Sequence, residues 1–391
     1  MNLYLNDMGI VAPIGVGKAN VLARLLAADG CGIEPYTGLL TGRATAIGRV
    51  REELGAAPAE LADLDCRNNR LLALALDQIA APIAQLRDTF GADRIAIVLG
   101  TSTSGISAGE DAFAALAREG HMPAAYHYRQ QEIGTAAEFA ARYLKLTGLR
   151  YTISTACSSS AKAFASAWRL LDAGRCDAAI VGGVDSLCKL TLNGFDALES
   201  LAPDRCNPFS ANRRGLNIGE AACVFVVSKA PAAVRLCGVG ESSDGYHISA
   251  PDPSGRGAEA AIHAALAQAG AEPEAVGYVN LHGTATLKND EMEGHVMARV
   301  FGTDVPCSST KSLTGHTLGA AGALELGLCW LLLGDANVRR RLPVHTWDGA
   351  RDSRLPPINL VGDDSHWERD LFVSNSFAFG GSNAAIAVAR A

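Results

Sequence analysis

The sequence has 391 residues, of which 48% are apolar and 19% are charged, with 41 glycines and a net charge of −7. This composition is typical of a globular protein with a large buried core, and it excludes a disordered or collagen-like chain. The acidic balance disfavours nucleic acid as the main partner, because binding to phosphates needs clustered Lys and Arg side chains.

The first residues and the cysteines indicate where the protein works. Asp7 interrupts the first apolar stretch and no basic segment precedes it, so we predict no signal peptide. The longest apolar run, near residues 318–334, contains Glu325 and is too short to span a bilayer. No two of the ten cysteines have a CxxC spacing, so neither a zinc site nor a disulfide framework is predicted. We therefore expect a cytoplasmic protein with reduced cysteines, no metal and no membrane span.

Strand-like and helix-like segments alternate along the chain. The predicted strands are RIAIVLG (94–100), YTIST (151–155), DAAIVGG (177–183), VGYVNLHG (276–283) and LFVSNSF (371–377). The predicted helices include LLALALDQIAAPIAQL (71–86) and AEAAIHAALAQAG (258–270). This alternation predicts an α/β fold in which helices cover largely buried sheets.

Two predicted strands lead into similar loops. The strand at 94–100 runs into GTSTSG, and the strand at 276–283 runs into GTAT. The echo is consistent with two duplicated halves, although chance similarity remains an open alternative. Glycine and turn residues near 240 place the division there, giving an N-terminal half of residues 1–240 and a C-terminal half of residues 241–391.

The segment 151–183 predicts a strand, a sharp turn, a helix and a second strand. Cys157 lies at the turn, and Gly174 ends the helix. A thiol at a helix N-terminus faces unpaired N–H groups and the positive end of the helix dipole, so we expect a lowered pKa. Cys157 is therefore the candidate nucleophile, and attack on an acyl donor would give a thioester. The alternative is a small buried structural cysteine, which is our interpretation of the other nine.

Two histidines lie in loops that suit catalysis. His282 ends a predicted strand, and His316 lies between Gly315 and Gly319 ahead of a helix. Ligands of α/β folds bind at the carboxyl ends of strands, and neighbouring glycines permit a close backbone approach. A single histidine of this kind is more often structural, but two of them with Cys157 upstream favour a catalytic site.

Charged residues lie near each histidine within apolar, glycine-rich sequence. Lys311 and Glu325 flank His316, while Asp290 and Glu293 follow His282. An unpaired charge in a buried segment is costly, so we predict that these groups are paired. The alternative for each is a solvated surface charge.

Four motifs in this order resemble the β-ketoacyl-acyl-carrier-protein synthases of the elongating, two-histidine type. They are TACSSS (155–160), HGTAT (282–286) with Asp290 downstream, STKSLTGHTLGAAG (309–322) and NSFAFGGSNA (375–384). The resemblance spans essentially the whole chain. It implies a thiolase-like fold, with two similar βαβαβαββ halves in a layered α-β-α-β-α arrangement.

The resemblance also implies an activity and its partners. The expected enzyme is an acyltransferase that takes an acyl group onto Cys157 and extends it by decarboxylative Claisen condensation with malonyl-carrier protein, in fatty acid, polyene or polyketide-type synthesis. The expected partner is acyl-carrier protein in its acyl and malonyl forms, and no cofactor is implied. A homodimer is expected, and a heterodimer with a chain-length-setting subunit is the alternative.

The same resemblance assigns roles to individual residues. The two histidines would donate to the enolate oxygen, and the backbone N–H groups of Cys157 and Phe379 would bind the oxyanion. The remaining roles are the paired catalytic Lys311 and Glu325, the supports Asp290 and Glu293, the gate Phe379, Gly380 and Gly381, and the carrier-docking residues Arg67 and Arg70.

Several positions depart from the family pattern. Where the family commonly has Arg, Asp, Asp and an aromatic residue, this chain has Asn207, Ser210, Arg214 and Leu216. These changes put the usual carrier contact and the acyl-pocket wall in question. Together with TSTSGI (101–106), they resemble the synthases of aryl-polyene and related specialised pathways.

Rival functions fit the sequence less well. A Cys/His hydrolase gains nothing from a second histidine with an attendant lysine. A thiolase needs a second cysteine near the C-terminus, whereas the last one here is Cys329. An initiating synthase has asparagine at the place of His316, and a non-catalytic chain-length-setting subunit lacks the nucleophile that Cys157 provides.

Overall fold

The protein is described by a computed structural model that covers residues 1–27 and 30–391. The strands are β1 (Leu3–Ala12), β2 (Gly15–Val16), β3 (Ile33–Tyr36), β4 (Thr45–Gly48), β5 (Ile95–Gly100), β6 (Arg150–Ile153), β7 (Ala178–Asp185), β8 (Ile218–Gly219), β9 (Ala221–Ser228), β10 (Val234–Ser243), β11 (Val276–Asn280), β12 (Pro306–Ser308), β13 (Asn359–Leu360), β14 (Leu371–Ala378) and β15 (Ser382–Arg390). The helices are α1 (Lys18–Leu25), α2 (Arg67–Asp77), α3 (Ala80–Phe90), α4 (Ile106–Glu119), α5 (Thr135–Leu144), α6 (Ser159–Asp172), α7 (Lys189–Ala197), α8 (Arg256–Ala269), α9 (Leu287–Phe301), α10 (Lys311–Thr314) and α11 (Ala321–Leu333). Short 3-10 helices cover Ala59–Leu64, Tyr128–Gln131, Pro273–Ala275, Leu318–Ala320 and Phe379–Gly381.

The main sheet consists of two halves with the same strand order. The first half runs β1-β9-β7-β5-β6, and the second runs β10-β15-β14-β11-β12, with β13 beside β12. The halves meet where β1 pairs antiparallel with β10, Leu3 opposite Leu236 and Tyr4 opposite Arg235. This repeated order is the two-halved α/β fold that the motifs predicted. The predicted division at residue 240 falls within β10, the first strand of the second half, and it remains a prediction.

Helices form three layers around the two halves of the sheet. Helices α2 and α5 pack on the outer face of the first half, while α8 and α9 cover the second half. Helices α6 and α11 lie between the halves and contact strands of both. A helix that is buried on every side is apolar all round, which explains the long apolar run near residues 318–334.

None of the helices in residues 1–27 and 30–391 is both long enough and apolar enough to cross a membrane.

The predicted helix at 71–86 is in fact two helices. Helix α2 ends at Asp77 and α3 begins at Ala80. Pro82 has no N–H, and its ring would clash with the carbonyl four residues earlier in a continuous helix. At the break, the Gln78 side chain accepts the N–H of Ile10 at 3.0 Å and donates to its carbonyl at 3.1 Å, so the interruption ties the helix pair to β1.

Candidate active site

Cys157 lies in the tight turn between β6 and α6. Ala156, directly before it, has a φ of +51°, which is uncommon for a residue with a side chain. The Ala156 carbonyl accepts hydrogen bonds from the hydroxyls of Ser102 at 3.1 Å and Ser159 at 2.5 Å. These contacts hold the strained turn, and the Cys157 sulfur faces a cavity between the two halves.

His316 contacts the sulfur directly. Its Nε2 lies 2.9 Å from Cys157 Sγ. The preceding residue, Gly315, has a φ of +71°, a conformation that glycine adopts without steric cost. The His316 N–H donates to the Asn217 carbonyl at 2.7 Å, and its carbonyl accepts the Gly219 N–H at 2.9 Å. The irregular segment near 206–221 therefore holds this histidine in place.

His282 follows β11 by two residues and completes the group. Its ring lies 5.3 Å from that of His316, centroid to centroid, and is nearly perpendicular to it at 87°. The buried Glu293 carboxylate on α9 accepts the N–H of His282 at 2.8 Å and of Gly283 at 2.7 Å. Burial raises the pKa of Glu293 to about 7, and these two N–H groups oppose the rise. Glu293 therefore positions the histidine through its backbone.

Asp290 holds two strained loops. Its carboxylate accepts the N–H of Phe209 at 2.7 Å and of Ala285 at 3.1 Å. Both of these residues have positive φ, of 61° and 65°. Burial raises the pKa of Asp290 to about 6, opposed by these hydrogen bonds. It accepts hydrogen bonds from these backbone groups and from the Asn289 side chain, and none from the imidazole rings among the described residues.

Lys311 and Glu325 form a buried ion pair. Lys311 Nζ lies 2.5 Å from Glu325 Oε1, and both side chains are at most 2% exposed. Burial raises the pKa of Glu325 to about 6, and Lys311 opposes this. Burial lowers the pKa of His282 and His316 well below the usual value, and the Lys311 charge lowers both further. Both imidazoles are therefore neutral at physiological pH.

The thiol pKa differs from our expectation. Burial raises the pKa of Cys157 to about 12, although the Lys311 charge and the backbone N–H groups of Phe379 and Cys157 favour the thiolate. The prediction of a lowered pKa at the helix N-terminus is wrong for this enclosed site, because loss of solvation outweighs those groups. In the resting protein the neutral thiol and the neutral His316 imidazole therefore share a hydrogen bond 2.9 Å long.

The Phe379–Gly381 turn closes one side of the site. The Phe379 ring stacks on Phe195 with centroids 5.3 Å apart. Gly380 and Gly381 have φ values of 79° and 72°, and the Gly380 N–H donates to the Ile248 carbonyl at 2.8 Å. The predicted gate thus sits beside Cys157, tied to the loop that follows β10.

A cavity of about 460 Å³ connects this group to the surface. Besides Cys157 and the two histidines, its walls include Leu198, Glu199, Arg214, Leu216, Ser249, Thr284, Thr286, Leu287, Lys288, Phe377 and Phe379. Two of the positions that depart from the family pattern, Arg214 and Leu216, therefore shape this cavity. A thiol, two neutral imidazoles and the backbone N–H groups of Cys157 and Phe379 at the base of a cavity suit transfer of an acyl group.

The same three side chains could also be read as a metal site. One donor atom each from Cys157, His282 and His316 lie within 4.8 Å of one another. However, the Lys311 charge that lowers the pKa of both histidines would also repel a cation. The donors therefore suit thiol and imidazole chemistry better than metal binding.

Arg67 and Arg70 lie at the start of α2, but their charges are already compensated. Arg67 binds the fully buried Glu220 through Nε at 2.8 Å and a second nitrogen at 2.5 Å. Arg70 makes two 2.7 Å contacts with Asp65. Neither arginine is among the described residues that line the cavity. Their docking role remains a prediction, which these contacts disfavour.

Sequence reasoning missed Asp185, a buried carboxylate at the end of β7. It accepts hydrogen bonds from Thr101, Ser102 and Thr103 at 2.6–3.1 Å and from the Gly319 N–H at 2.5 Å. It thereby links the loop after β5 to the loop that carries His316. A charged residue at the end of a wholly apolar strand was the available signal.

A second missed residue is His345, which no motif marked. Its Nδ1 accepts the Ser309 N–H at 3.1 Å, and its Nε2 donates to the Pro208 carbonyl at 3.0 Å. Burial lowers its pKa to about 4. The Ser309 hydroxyl in turn donates to the Gly283 carbonyl at 2.7 Å, so His345 supports the backbone beside His282.

Comparison with known proteins assigns the chain a family. Residues 8–233 match the model of the β-ketoacyl synthase N-terminal domain, and residues 233–345 match that of the C-terminal domain. A nodulation protein E of Rhizobium meliloti is 38% identical over 258 residues, 62% of each chain. A 3-oxoacyl-[acyl-carrier-protein] synthase 2 of Staphylococcus aureus (strain COL) is 33% identical over 59% of each chain. The matched segments thus span about three fifths of these curated relatives.

Solved structures match over a greater length. A ketosynthase (ApeO) in complex with its chain length factor (ApeC), from Xenorhabdus doucetiae, is 44% identical with a TM-score of 0.95, covering 100% of this chain and 98% of that chain. The ishigamide ketosynthase/chain length factor is 25% identical with a TM-score of 0.88, covering 100% and 99%. With both domain models matched and a thiol between two histidines at the centre of the fold, this chain belongs to the β-ketoacyl synthase family.

Proposed function

We propose that the chain is a 3-oxoacyl-acyl-carrier-protein synthase that forms a carbon–carbon bond by decarboxylative condensation. The observation that carries this proposal is the 2.9 Å contact between Cys157 Sγ and His316 Nε2, with the His282 ring 5.3 Å from that of His316. A hydrolase would use one histidine with its cysteine. Two neutral imidazoles that converge on one sulfur suit a reaction with a second, enolate-forming substrate.

In the first half-reaction, Cys157 takes an acyl group from an acyl-carrier thioester. The thiol passes its proton to His316 Nε2 as the sulfur attacks the carbonyl carbon. A new sulfur–carbon bond forms, the carrier's sulfur–carbon bond breaks, and the proton leaves with the carrier thiol. The N–H groups of Cys157 and Phe379, which favour a negative charge on the Cys157 sulfur, also suit the oxyanion of the tetrahedral intermediate.

In the second half-reaction, a malonyl-carrier thioester enters the emptied cavity. Its carbon–carbon bond breaks to release carbon dioxide, and the electron pair forms an enolate. The enolate oxygen accepts hydrogen bonds from His282 and from His316, which in this step carries its proton on Nε2 because the acylated sulfur no longer donates to that atom. The enolate carbon then attacks the Cys157 thioester. The electron pair of the bond between the acyl carbon and the Cys157 sulfur leaves with the sulfur, the resulting thiolate takes up a proton from solvent, and a 3-oxoacyl thioester leaves.

Lys311 tunes the two imidazoles in this proposal. Its charge lowers the pKa of both, so they stay neutral while a negatively charged malonyl group is bound. Glu325, 2.5 Å away, fixes the ammonium group and compensates its charge. Lys311 and Glu325 therefore act as one unit.

We also propose that the chain pairs with a second chain of the same fold along β6. This strand ends the sheet and pairs with β5 alone among the described residues, and unpaired strand edges favour association. Ser154, directly after β6, is exposed, and Thr155 and Ala156 are half-buried although they adjoin the nucleophile. The likeness to a ketosynthase that binds its chain length factor favours a heterodimer.

The ten free cysteines suit a reducing compartment such as the cytoplasm.

The decisive experiment follows the mass of the protein. We expect incubation with an acyl-carrier protein carrying a hexanoyl group to add one hexanoyl group, at Cys157. Addition of malonyl-carrier protein should then remove it as a 3-oxooctanoyl thioester, with release of carbon dioxide. Cys157→Ala should lose both steps while keeping the fold, since only the sulfur is removed.

Cys237→Ala is the matched control, because Cys237, like Cys31, is half-buried and is therefore a more accessible target for non-specific acylation than the eight buried cysteines. This variant should react normally. Condensation by Cys157→Ala, or acylation lost in Cys237→Ala, would contradict the proposal. Analytical ultracentrifugation of the chain alone and with a co-expressed chain length factor tests the pairing.

A further inference from the structure

The mouth of the catalytic cavity carries an unusual group of exposed side chains. Four of them are large and apolar and between 49% and 80% exposed. Adjacent exposed apolar groups are a mark of a binding surface. With two cations beside them they form a surface that we call the rim, made up of Leu198, Arg214, Tyr246, Ile248, Leu287 and Lys288.

Contacts of the chain place these residues around one opening. Leu198, Arg214, Leu287 and Lys288 line the cavity that leads to Cys157. Tyr246 and Ile248 belong to the loop whose Ser249 and Pro251 also line it. The Ile248 carbonyl accepts the Gly380 N–H at 2.8 Å, so this loop is bound to the predicted gate.

The positive charges on the rim are available to a partner. The Arg214 side chain is 69% exposed, and its nearest carboxylate, the exposed Asp204, is 3.8 Å away. Lys288 is exposed and forms no ion pair within residues 1–27 and 30–391. By contrast, the neighbouring Arg213 is buried and bound to Asp352 at 2.6 Å. Glu199 is the one acidic side chain among the described residues of the cavity wall.

We propose that the rim receives the carrier protein, with Arg214 and Lys288 binding its acidic face and the apolar side chains packing against it. This inference rests on the proposed function. Acyl-carrier proteins are small and acidic, and their thioester must pass through this opening to reach Cys157. Charge complementarity and continuity with the cavity thus favour the rim over Arg67 and Arg70, whose charges are compensated by Glu220 and Asp65.

The test reverses the two rim charges. In an Arg214→Glu, Lys288→Glu double variant we expect kcat/KM for Cys157 acylation by hexanoyl-loaded carrier protein to fall about tenfold at low salt, because rim charges steer association. The difference should shrink at high ionic strength. Acylation by the small hexanoyl N-acetylcysteamine thioester, which needs no docking, should fall far less, and its rate should not gain a dependence on salt.

The matched control reverses two exposed cations at the other end of the strands. Lys229 directly follows Ser228, the last residue of β9, which pairs with Ala178, the first residue of β7. Lys145 lies two residues before Thr147, whose N–H donates to the Ala92 carbonyl ahead of β5. Neither forms an ion pair in the described part of the chain. A Lys145→Glu, Lys229→Glu variant changes net charge equally and should keep the carrier rate.

Every other outcome would contradict the docking proposal, and the outcomes can be told apart. Normal carrier kinetics in the rim variant, or an equal loss in the control variant, would place docking elsewhere. Equal losses with both acyl donors would indicate damage to the site rather than to docking. A changed sedimentation coefficient would make the rim a subunit interface. Failure of the unmodified protein to be acylated by either donor would instead refute the proposed function.

Discussion

The two halves of the molecule use one strand order for different chemistry. In the first half, the loop after β6 supplies Cys157. In the second half, the loop after β12, the strand that corresponds to β6, leads to Lys311 and His316, and the loop after β11 supplies His282. The repeated strand order brings two sets of strand ends to one cavity, and each set carries its own functional groups.

The halves also share a way of holding their loops. In the first half, the buried Asp185 accepts N–H groups of Ser102 and Thr103 after β5. In the second half, the buried Glu293 accepts N–H groups of His282 and Gly283 after β11, the corresponding strand. A carboxylate suits this role because its two oxygens accept hydrogen bonds from several backbone N–H groups at once. The comparison indicates that catalytic side chains are positioned mainly through their backbones.

The largest expected effect on reaction rate comes from removing either histidine. His282→Ala and His316→Ala should each reduce malonyl decarboxylation about 10²–10³-fold, the usual effect of losing one donor to a developing oxyanion. Only His316→Ala should also slow acylation, because His316 contacts the Cys157 sulfur. Carbon dioxide release and the rate of Cys157 acylation measure the two effects separately. Equal acylation rates in the two variants would remove the distinction between them.

A comparable effect, on stability rather than on rate, concerns the ion pair behind the histidines. Lys311→Ala and Glu325→Ala should each lower the free energy of unfolding by about 3–5 kcal/mol, because each leaves a buried charge without its partner. The double variant should be less destabilised than the sum of the two, since coupled residues are non-additive. Urea unfolding of all four proteins provides the cycle. Strict additivity would mean that the 2.5 Å contact carries no coupling.

The smallest effect is a pH dependence. The pKa of Glu293 in the folded protein is raised by burial to about 7, above its usual value near ~4.3 in an unfolded chain. The stability that the protonated form contributes is therefore present below the unfolded value and is lost as pH rises through about 7. The unfolding free energy of the unmodified protein minus that of Glu293→Gln should therefore be larger at pH 5 than at pH 8. A difference that is constant with pH would mean that Glu293 stays ionised throughout.

Much of the site could be predicted because its signals are local. Cys157 follows a strand and precedes a helix, and His316 lies beside Gly315, whose φ of +71° suits glycine. The break between α2 and α3 could also have been predicted, since Pro82 marks it. By contrast, Glu220 lies 153 residues from Arg67, and no local pattern connects the two. Local sequence therefore could not show that the Arg67 charge is bound to a buried carboxylate, and the docking role of Arg67 and Arg70 stays a prediction.

The sequence alone determined the alternation of strands and helices, the order of the motifs and the identity of the thiol and the two imidazoles, because each depends on neighbours a few residues away. The tertiary structure decided their electrostatic states. The pKa of Cys157 rises to about 12 and those of His282 and His316 fall because two distant halves of the chain enclose them and remove water. It also decided which cations face solvent: Arg67 is bound to a buried carboxylate, while the exposed Arg214 and Lys288 lie at the cavity mouth. Burial depends on packing between segments far apart in sequence, and that packing is absent from any local pattern.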